Sequence, residues 1–205
     1  MTSTLEPTTA TTLAVKASEL AAALQNVMPH ASKEAHFPIL NGVRLTVTLD
    51  GLTLEATDRY TLARQAVPAL DIPEGYLGLG GVIPLAACKD ILARCKSSAL
   101  VTLAIADGKL TVSDYDSTSA CRFTEGTFPD VQRLFDNAEG SSVERSFIGI
   151  NPAHFAKYLK AYGPDGKLVK NAYLKVTFTD GPAKASYTTD TLDSFRSLIM
   201  LPKVD

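Results

Sequence analysis

Apolar and polar positions alternate along three long phrases of this chain, and each phrase contains an Asp-Gly pair. Residues 47–60 read "VTLDGLTLEATDRY", residues 100–116 "LVTLAIADGKLTVSDYD", and residues 173–190 "YLKVTFTDGPAKASYTTD". Alternation at period two predicts half-buried antiparallel strands, and Asp50-Gly51, Asp107-Gly108 and Asp180-Gly181 supply the positive φ angles of a tight corner. Three hairpins of one design are expected.

A segment of helical period precedes each hairpin. In "KASELAAALQNVM", Ser18 is placed to cap and Leu20, Leu24 and Val27 form an apolar stripe; in "PLAACKDILARCK", Pro84 suits a first turn and Cys88, Ile91, Leu92 and Cys95 form the stripe. In "NPAHFAKYLKAY", Asn151 caps, Pro152 follows, and Phe155, Leu159 and Tyr162 are expected to face inward. Short apolar stretches stand before these helices ("TLAVK" 12–16, "GGVIP" 80–84, "SFIGI" 146–150). Candidate strands follow the hairpins ("LARQAVPAL", "STSACRFTE", "SFRSLIMLP"). The repeating unit is strand, helix, strand, strand, strand, with a period of roughly 55 to 70 residues, too long for the common solenoid repeats. Such a unit buries one face of its sheet and leaves edges open, so it needs a neighbour to be stable.

At 205 residues and 45% apolar content the chain can bury a sizeable core, and its formal charge of −2 argues against a uniformly basic nucleic-acid coat while allowing a local basic surface. No apolar run reaches the roughly 18 residues of a membrane span, and "MTSTLEPTTATT" lacks the basic start and apolar centre of a signal peptide, so a cytoplasmic location and a flexible Thr-rich tail over residues 1–11 are expected. Cys88, Cys95 and Cys121 have no metal-type spacing and read as reduced core residues. His30, His36 and His154 share no metal spacing either, and His154 reads as an exposed helix residue. Neither a nucleophile elbow nor a complete phosphate-cradling glycine loop is present, "GLGG" at 78–81 lacking the rest of either fingerprint. These observations point to a binding protein without cofactor or metal.

Three stretches resemble the bacterial DNA sliding clamp, the beta subunit of DNA polymerase III: "LQNVMPHASKEAHFPILNGVRLTVTLDGLTLEATDRYTLA", the link-like "FTEGTFPDVQRLF" at 123–135, and the terminal "SFRSLIMLPKVD". The resemblance implies an α+β protein with the DNA-clamp fold of repeated β-α-β-β-β units. It further implies a ring that encircles duplex DNA, slides along it, and holds polymerase and other replication proteins nearby. The expected organisation is a complete two-unit domain at 12–135 and a single further unit at 143–205. That is three units where the familiar clamp has six, so four chains would supply the twelve units of a ring. A clamp-like protein that binds clamp-binding peptides or another clamp without encircling DNA is the alternative. The economy of length suggests a phage or mobile-element source.

Sliding requires attraction to phosphate without base readout, so the helices of such a ring should carry scattered cations. Lys16 and Lys33 flank the first helical segment, Lys89, Arg94 and Lys96 lie on the second, and Lys157 and Lys160 on the third. By matching position, the resemblance implies a pocket for short peptide motifs of the polymerase and clamp loader. One wall is Thr57, Arg59, Tyr60 and Leu62; Leu134 and Phe135 lie at the link; Leu198, Met200, Leu201 and Pro202 lie on the last strand. Arg59 stands where the family has a small residue. Asp58 matches a structural position, and self-association into a homo-oligomer is expected because a lone third unit would expose sheet edge.

Overall fold

The computed structural model describes residues 12–138, 151–170, 174–178, 185–189 and 194–199. The first unit runs β1 (Leu13–Lys16), α1 (Ala17–Val27), β2 (Gly42–Thr48), β3 (Gly51–Thr57) and β4 (Thr61–Asp71). The second repeats that order as β5 (Gly80–Pro84), α2 (Leu85–Cys95), β6 (Leu100–Ala106), β7 (Lys109–Ser113) and β8 (Thr118–Arg122). After α3 (Gln132–Ala138), the third unit is described as α4 (Pro152–Phe155), β9 (Leu174–Phe178), β10 (Ala185–Thr189) and β11 (Phe195–Ile199). The tail at 1–11, the stretch 146–150, the Asp180-Gly181 corner, Met200, Leu201 and Pro202 lie outside the described residues. The architecture is α+β, an antiparallel sheet in the order β5-β2-β3-β4-β1-β6-β7-β8, with β11, β10 and β9 branching from β4.

The first two units exchange their leading elements. β1 pairs with β6 of the second unit, and β5 pairs with β2 of the first. The helices follow suit. The first N–H of α1 (Ala17) donates to the Ala99 carbonyl at the start of β6 (3.0 Å), and that of α2 (Leu85) donates to the Asn41 carbonyl at the start of β2 (3.2 Å). An orphan donor satisfied across the units makes a side-chain cap unnecessary. The expected Ser18 cap changes accordingly, since Ser18 lies within α1 and makes no cap, while Pro84 both ends β5 and occupies the N-cap position of α2, just ahead of the first turn.

The two helices pack on one face of the sheet and against each other. Leu20, Leu24 and Val27 of α1, and Cys88, Ile91 and Cys95 of α2, meet Val43, Leu45, Leu52, Leu54, Val101 and Leu103 of the strands in one core. Leu92 packs at its margin. The three cysteines are free; burial pushes the Cys88 thiol up to about 12 and the Cys95 thiol to about 11, which leaves both protonated and inert.

The second hairpin turns at Asp107-Gly108, both with positive φ (51° and 69°), as its sequence demands. The first turns one residue earlier than expected, at Leu49-Asp50, because Thr48 pairs with Gly51. Gly51 belongs to β3, and a Cβ there would fall on the Val67 carbonyl oxygen of β4. Its glycine serves close strand approach rather than the corner.

The third helix is shorter than its sequence period suggests. Asn151 caps it, accepting from the Ala153 N–H, but after Phe155 the chain tightens into a 3-10 turn at Ala156–Tyr158. The tighter turn brings Tyr158 inward, where its hydroxyl donates to the Leu198 carbonyl (3.1 Å), and leaves Leu159 67% exposed instead of buried.

Candidate functional site

β4 is the strand on which the third unit is seated. One of its edges runs along β3; the other is shared, with Thr61–Gln65 paired to β11 and Ala69 and Asp71 paired to β1. The β3–β4 corner at Asp58-Arg59-Tyr60 therefore sits where the first and third units meet. Asp58 Oδ1 accepts from the Tyr60 N–H (3.1 Å), the Thr61 N–H (2.7 Å) and the Thr61 hydroxyl (2.9 Å), while Oδ2 is paired with Lys157. Burial alone would raise this carboxyl. The hydrogen bonds from Lys157 and Thr61 and the Lys157 charge outweigh burial and hold it below the usual range.

The second unit repeats this corner. Asp114 Oδ1 accepts from the Asp116 and Ser117 N–H groups (2.9 and 2.8 Å), and Oδ2 meets Arg94 at 3.0 Å. In the second unit the cation comes from the unit's own helix. In the first it comes from the third unit, so the same acidic corner that closes a hairpin also holds two units together. Asn26 strengthens the seam from beneath: its side chain bonds Gln65 (2.9 Å) and both the N–H and the C=O of Tyr162 (2.8 and 2.9 Å).

The pocket residues implied by the sequence divide between two faces of this seam. Away from the helices, Leu62, Phe135 and Leu198 come together with Val131, and Phe128 packs at the margin, in an apolar cluster separate from the main core. Leu134 points away and is exposed. Thr57 is buried in the corner, its hydroxyl donating to the Thr61 carbonyl (2.8 Å) and accepting from the Arg59 N–H (3.1 Å). Arg59 adopts φ 78°, lies 4.1 Å over the Phe37 ring, and pairs with Glu34 at 3.0 Å. Tyr60 stacks on His154 with ring centroids 5.1 Å apart, so His154 is a wall residue and not the exposed helix position its sequence suggested. An open cleft of about 570 Å³ runs beside that stack, bordered by Ser32, Lys33, Asp58 and Lys157.

The basic residues divide as well. Lys16, Lys33, Lys89, Lys96 and Lys160 are exposed, with Lys16 beside Glu19 (3.1 Å). Arg94 and Lys157 are mostly buried and engaged with Asp114 and Asp58, where charge satisfaction and not solvent exposure fixes them. Lys157 lies in the last turn of the third helix, but Lys160 lies beyond it, because that turn ends at Tyr158. Sequence reasoning missed the pairing roles of His154, Lys157 and Arg94; the repeated Asp-x-x-Thr/Ser spacing at Asp58 and Asp114 was the available sign. Among the described residues no group of three or more His, Cys, Asp or Glu is arranged to hold a metal, and no helix is long and apolar enough to cross a membrane.

Residues 14–130, more than half of the chain, match the family model described as DNA polymerase III beta subunit, central domain. The chain belongs to the DNA polymerase III beta subunit family. It is 27% identical over 170 residues to the beta sliding clamp homolog GriR of Streptomyces muensis, an alignment covering 82% of this chain and 43% of GriR. The chain thus spans less than half the length of that relative. The fold matches bacterial clamp structures from Thermotoga maritima (TM-score 0.72, 15% identity, 98% of this chain and 68% of the other) and Borrelia burgdorferi (0.73, 13%, 100% and 67%), the latter in complex with a natural product. The sliding clamp of Bartonella birtlesii bound to griselimycin matches similarly (0.70, 17%, 100% and 69%).

Proposed function

We propose that this chain is a DNA sliding clamp, a processivity factor without catalytic activity that forms a homo-oligomeric ring around duplex DNA in the cytoplasm. Its organisation is a two-unit domain at 12–135 followed by a single unit at 143–205. It tethers polymerase and clamp loader through short peptide motifs received where the first and third units meet. The observation that carries this reading is the seam itself, where β11 extends the sheet from β4 and an apolar cluster of Leu62, Phe135 and Leu198 lies on the face opposite the helices. Extending a sheet from unit to unit is the way such a chain grows into an arc. Among the described residues the outer edge of β8 is open to continue it in another copy. The exposed Lys89 and Lys96 of α2, with Lys16, Lys33 and Lys160, supply non-specific attraction to phosphate.

The decisive experiment loads the chain on nicked circular DNA and then linearises the circle. A ring stays on the circle and is lost from free ends; equal retention on both forms counts against encirclement. Sedimentation gives the stoichiometry, and a monomer at all concentrations sinks the ring. A second reading, a clamp-like protein that binds partner peptides or another clamp without encircling DNA, is favoured by one observation: Arg94 and Lys157 are spent in internal ion pairs, which thins the basic surface. Under that reading peptide binding persists while the circular DNA gives no trapping.

A further inference from the structure

The seam between the first and third units joins two strands of equal rank, each the last of its unit. β4 and β11 run antiparallel with Arg64 opposite Arg196. Arg64 stands six residues after Asp58, and Arg196 six after Asp190, the aspartates that close "EATD" and "YTTD" in the aligned phrases. Counted from those aspartates, the flanking pairs are reciprocal: Gln65, the seventh residue, meets Phe195, the fifth, and Ala63, the fifth, meets Ser197, the seventh. The seam is a local two-fold through the sixth residue of each strand, the reciprocal pattern of an isologous contact.

β8 is the last strand of the second unit, and its sixth residue after Asp114 is Ala120. Among the described residues β8 pairs with β7 alone. The Ser117 carbonyl accepts from the Asp114 N–H (3.0 Å) and the Phe123 N–H donates to the Gly108 carbonyl (2.9 Å), so odd-numbered residues face β7 and their even-numbered neighbours face out. The Thr124 N–H, which donates to the Val82 carbonyl on the outer side (2.8 Å), fixes the same phase. Thr118, Ala120 and Arg122 thus present backbone N–H and C=O groups along the outer edge, with exposed side chains and neither Pro nor Lys to blunt it. In the seam the corresponding groups are engaged: the Ala66 N–H, eight after Asp58, donates to the carbonyl of Ser194, four after Asp190 (3.1 Å).

We propose that β8 pairs antiparallel with β8 of a second copy, about a two-fold axis at Ala120. The two Ala120 residues exchange both backbone bonds, Thr118 of each copy meets Arg122 of the other as Ser194 meets Ala66, and Ser119 meets Cys121. A second copy fits this edge because last strand already joins last strand in this register within the chain, and because the register sets no like charges opposite each other. The axis runs normal to the sheet and keeps the helices of both copies on one face, as an arc requires. The pairing rests on the self-association proposed above and refines it to a face-to-face contact, whether or not the assembly surrounds DNA.

The Ser119 and Cys121 side chains share the α2 side of β8, where they line a hollow with Ala87, Asp90 and Ile91. Across the axis they form a non-hydrogen-bonded pair with Cα atoms about 4.5 Å apart, within disulfide reach. Mild oxidation of the full chain carrying Ser119→Cys should give a covalent dimer and nothing larger on a non-reducing gel, and adding Cys121→Ser should abolish it. No covalent dimer from the folded variant overturns the proposal, and so does a ladder of larger species, which only head-to-tail contacts produce. Sedimentation supplies the second measurement. Thr118→Glu, opposite Arg122 twice in each dimer, should tighten association about threefold, and Thr118→Arg should weaken it by about as much. A dimer insensitive to both changes overturns the register, and these two variants decide if Ser119→Cys does not fold. A cross-linked dimer that is not trapped on circular DNA keeps this pairing and removes the ring; trapping without the cross-link removes the pairing alone.

Discussion

At the scale of single residues, the sharpest consequences come from charge placed where it cannot be hydrated. His30 is fully buried, neither ring nitrogen has a partner among the described residues, and its ring meets that of Tyr158 edge-on at 5.0 Å. Burial, helped by the nearby Lys157 charge, lowers its pKa from 6.5 to about 3. The folded chain therefore stays neutral at this site where the unfolded chain takes up a proton. The neutral site costs nothing in charge above pH 6.5, and stability falls by about 1.4 kcal/mol per unit as pH drops from 6.5 towards 3. Urea unfolding at pH 7 and pH 5 should show His30→Phe losing about 2 kcal/mol less than wild type between the two conditions. Equal losses would place the acid sensitivity elsewhere. The cations obey the same logic with the opposite outcome for exposure. A Lys89→Glu, Lys96→Glu, Lys160→Glu variant should lower the slope of log affinity for DNA against log salt by about 3, at roughly 0.9 per phosphate contact. Lys157→Ala should leave that slope unchanged and weaken the fold instead, since Lys157 faces Asp58 and Thr61 rather than solvent. A slope unaffected by the triple change removes these lysines from the DNA surface.

At the scale of elements, Gly51 shows how a correct motif can carry the wrong reason. Gly51→Ala should destabilise the chain by about 2 kcal/mol or more, since φ 140° is poorly suited to a side chain and the new methyl meets the backbone of β4; a melt shifted by no more than a degree would contradict the packing account. The comparable Gly108→Ala should cost less, because nothing lies within 4 Å of a Cβ there and the loss is confined to the turn. Period-two alternation in "VRLTVT" and "LTLEAT" revealed the strands, and the stripes of α1 and α2 revealed the helices, because burial on one face writes itself into composition. What alternation cannot encode is exchange between units. The pairing of β1 with β6, and the satisfaction of the α1 and α2 starts by backbone carbonyls, leave no side-chain mark, and so Ser18 reads in sequence as a cap that the fold does not use. The end of the third helix is likewise invisible, since Tyr158 and Leu159 can each be buried, and the tighter turn together with the Tyr158 hydroxyl bond to the Leu198 carbonyl decides which goes in. Leu62, Phe135 and Leu198 are legible as a group through the family resemblance; that Phe135 packs onto the other two, with Arg64 over it, is set by tertiary packing that leaves no pattern in the sequence.

At the scale of the whole molecule, the issue is how firmly the third unit is held against the first, because any arc built from this chain inherits that angle. Several kinds of contact cross the seam among the described residues: the β4–β11 ladder, the Leu62–Leu198 cluster, the Asp58–Lys157 pair, the ring contacts of Tyr60 with His154 and His30 with Tyr158, and the grip of Asn26 on Tyr162. The last is the least replaceable. The Asn26 amide stands in for a strand neighbour, meeting the backbone of Tyr162 on both its donor and its acceptor side while satisfying Gln65, so removing it leaves buried groups unpaired on two units at once. Each orphaned group costs about 1–3 kcal/mol, which makes Asn26→Ala a loss of about 2–4 kcal/mol once partial rehydration is allowed for. The loss should also have a direction. Amide exchange should accelerate in β9–β11 and in the first half of β4, while β6 and β7 keep wild-type protection, because the second unit is closed by its own Arg94–Asp114 pair. Asp114→Ala should produce the converse map, with β7 and β8 loosened and β11 unaffected. If both variants loosen the whole sheet alike, the chain unfolds as one unit and its inter-unit angle is set by the entire core; if the maps separate, the seam is the hinge about which a ring of these chains would bend.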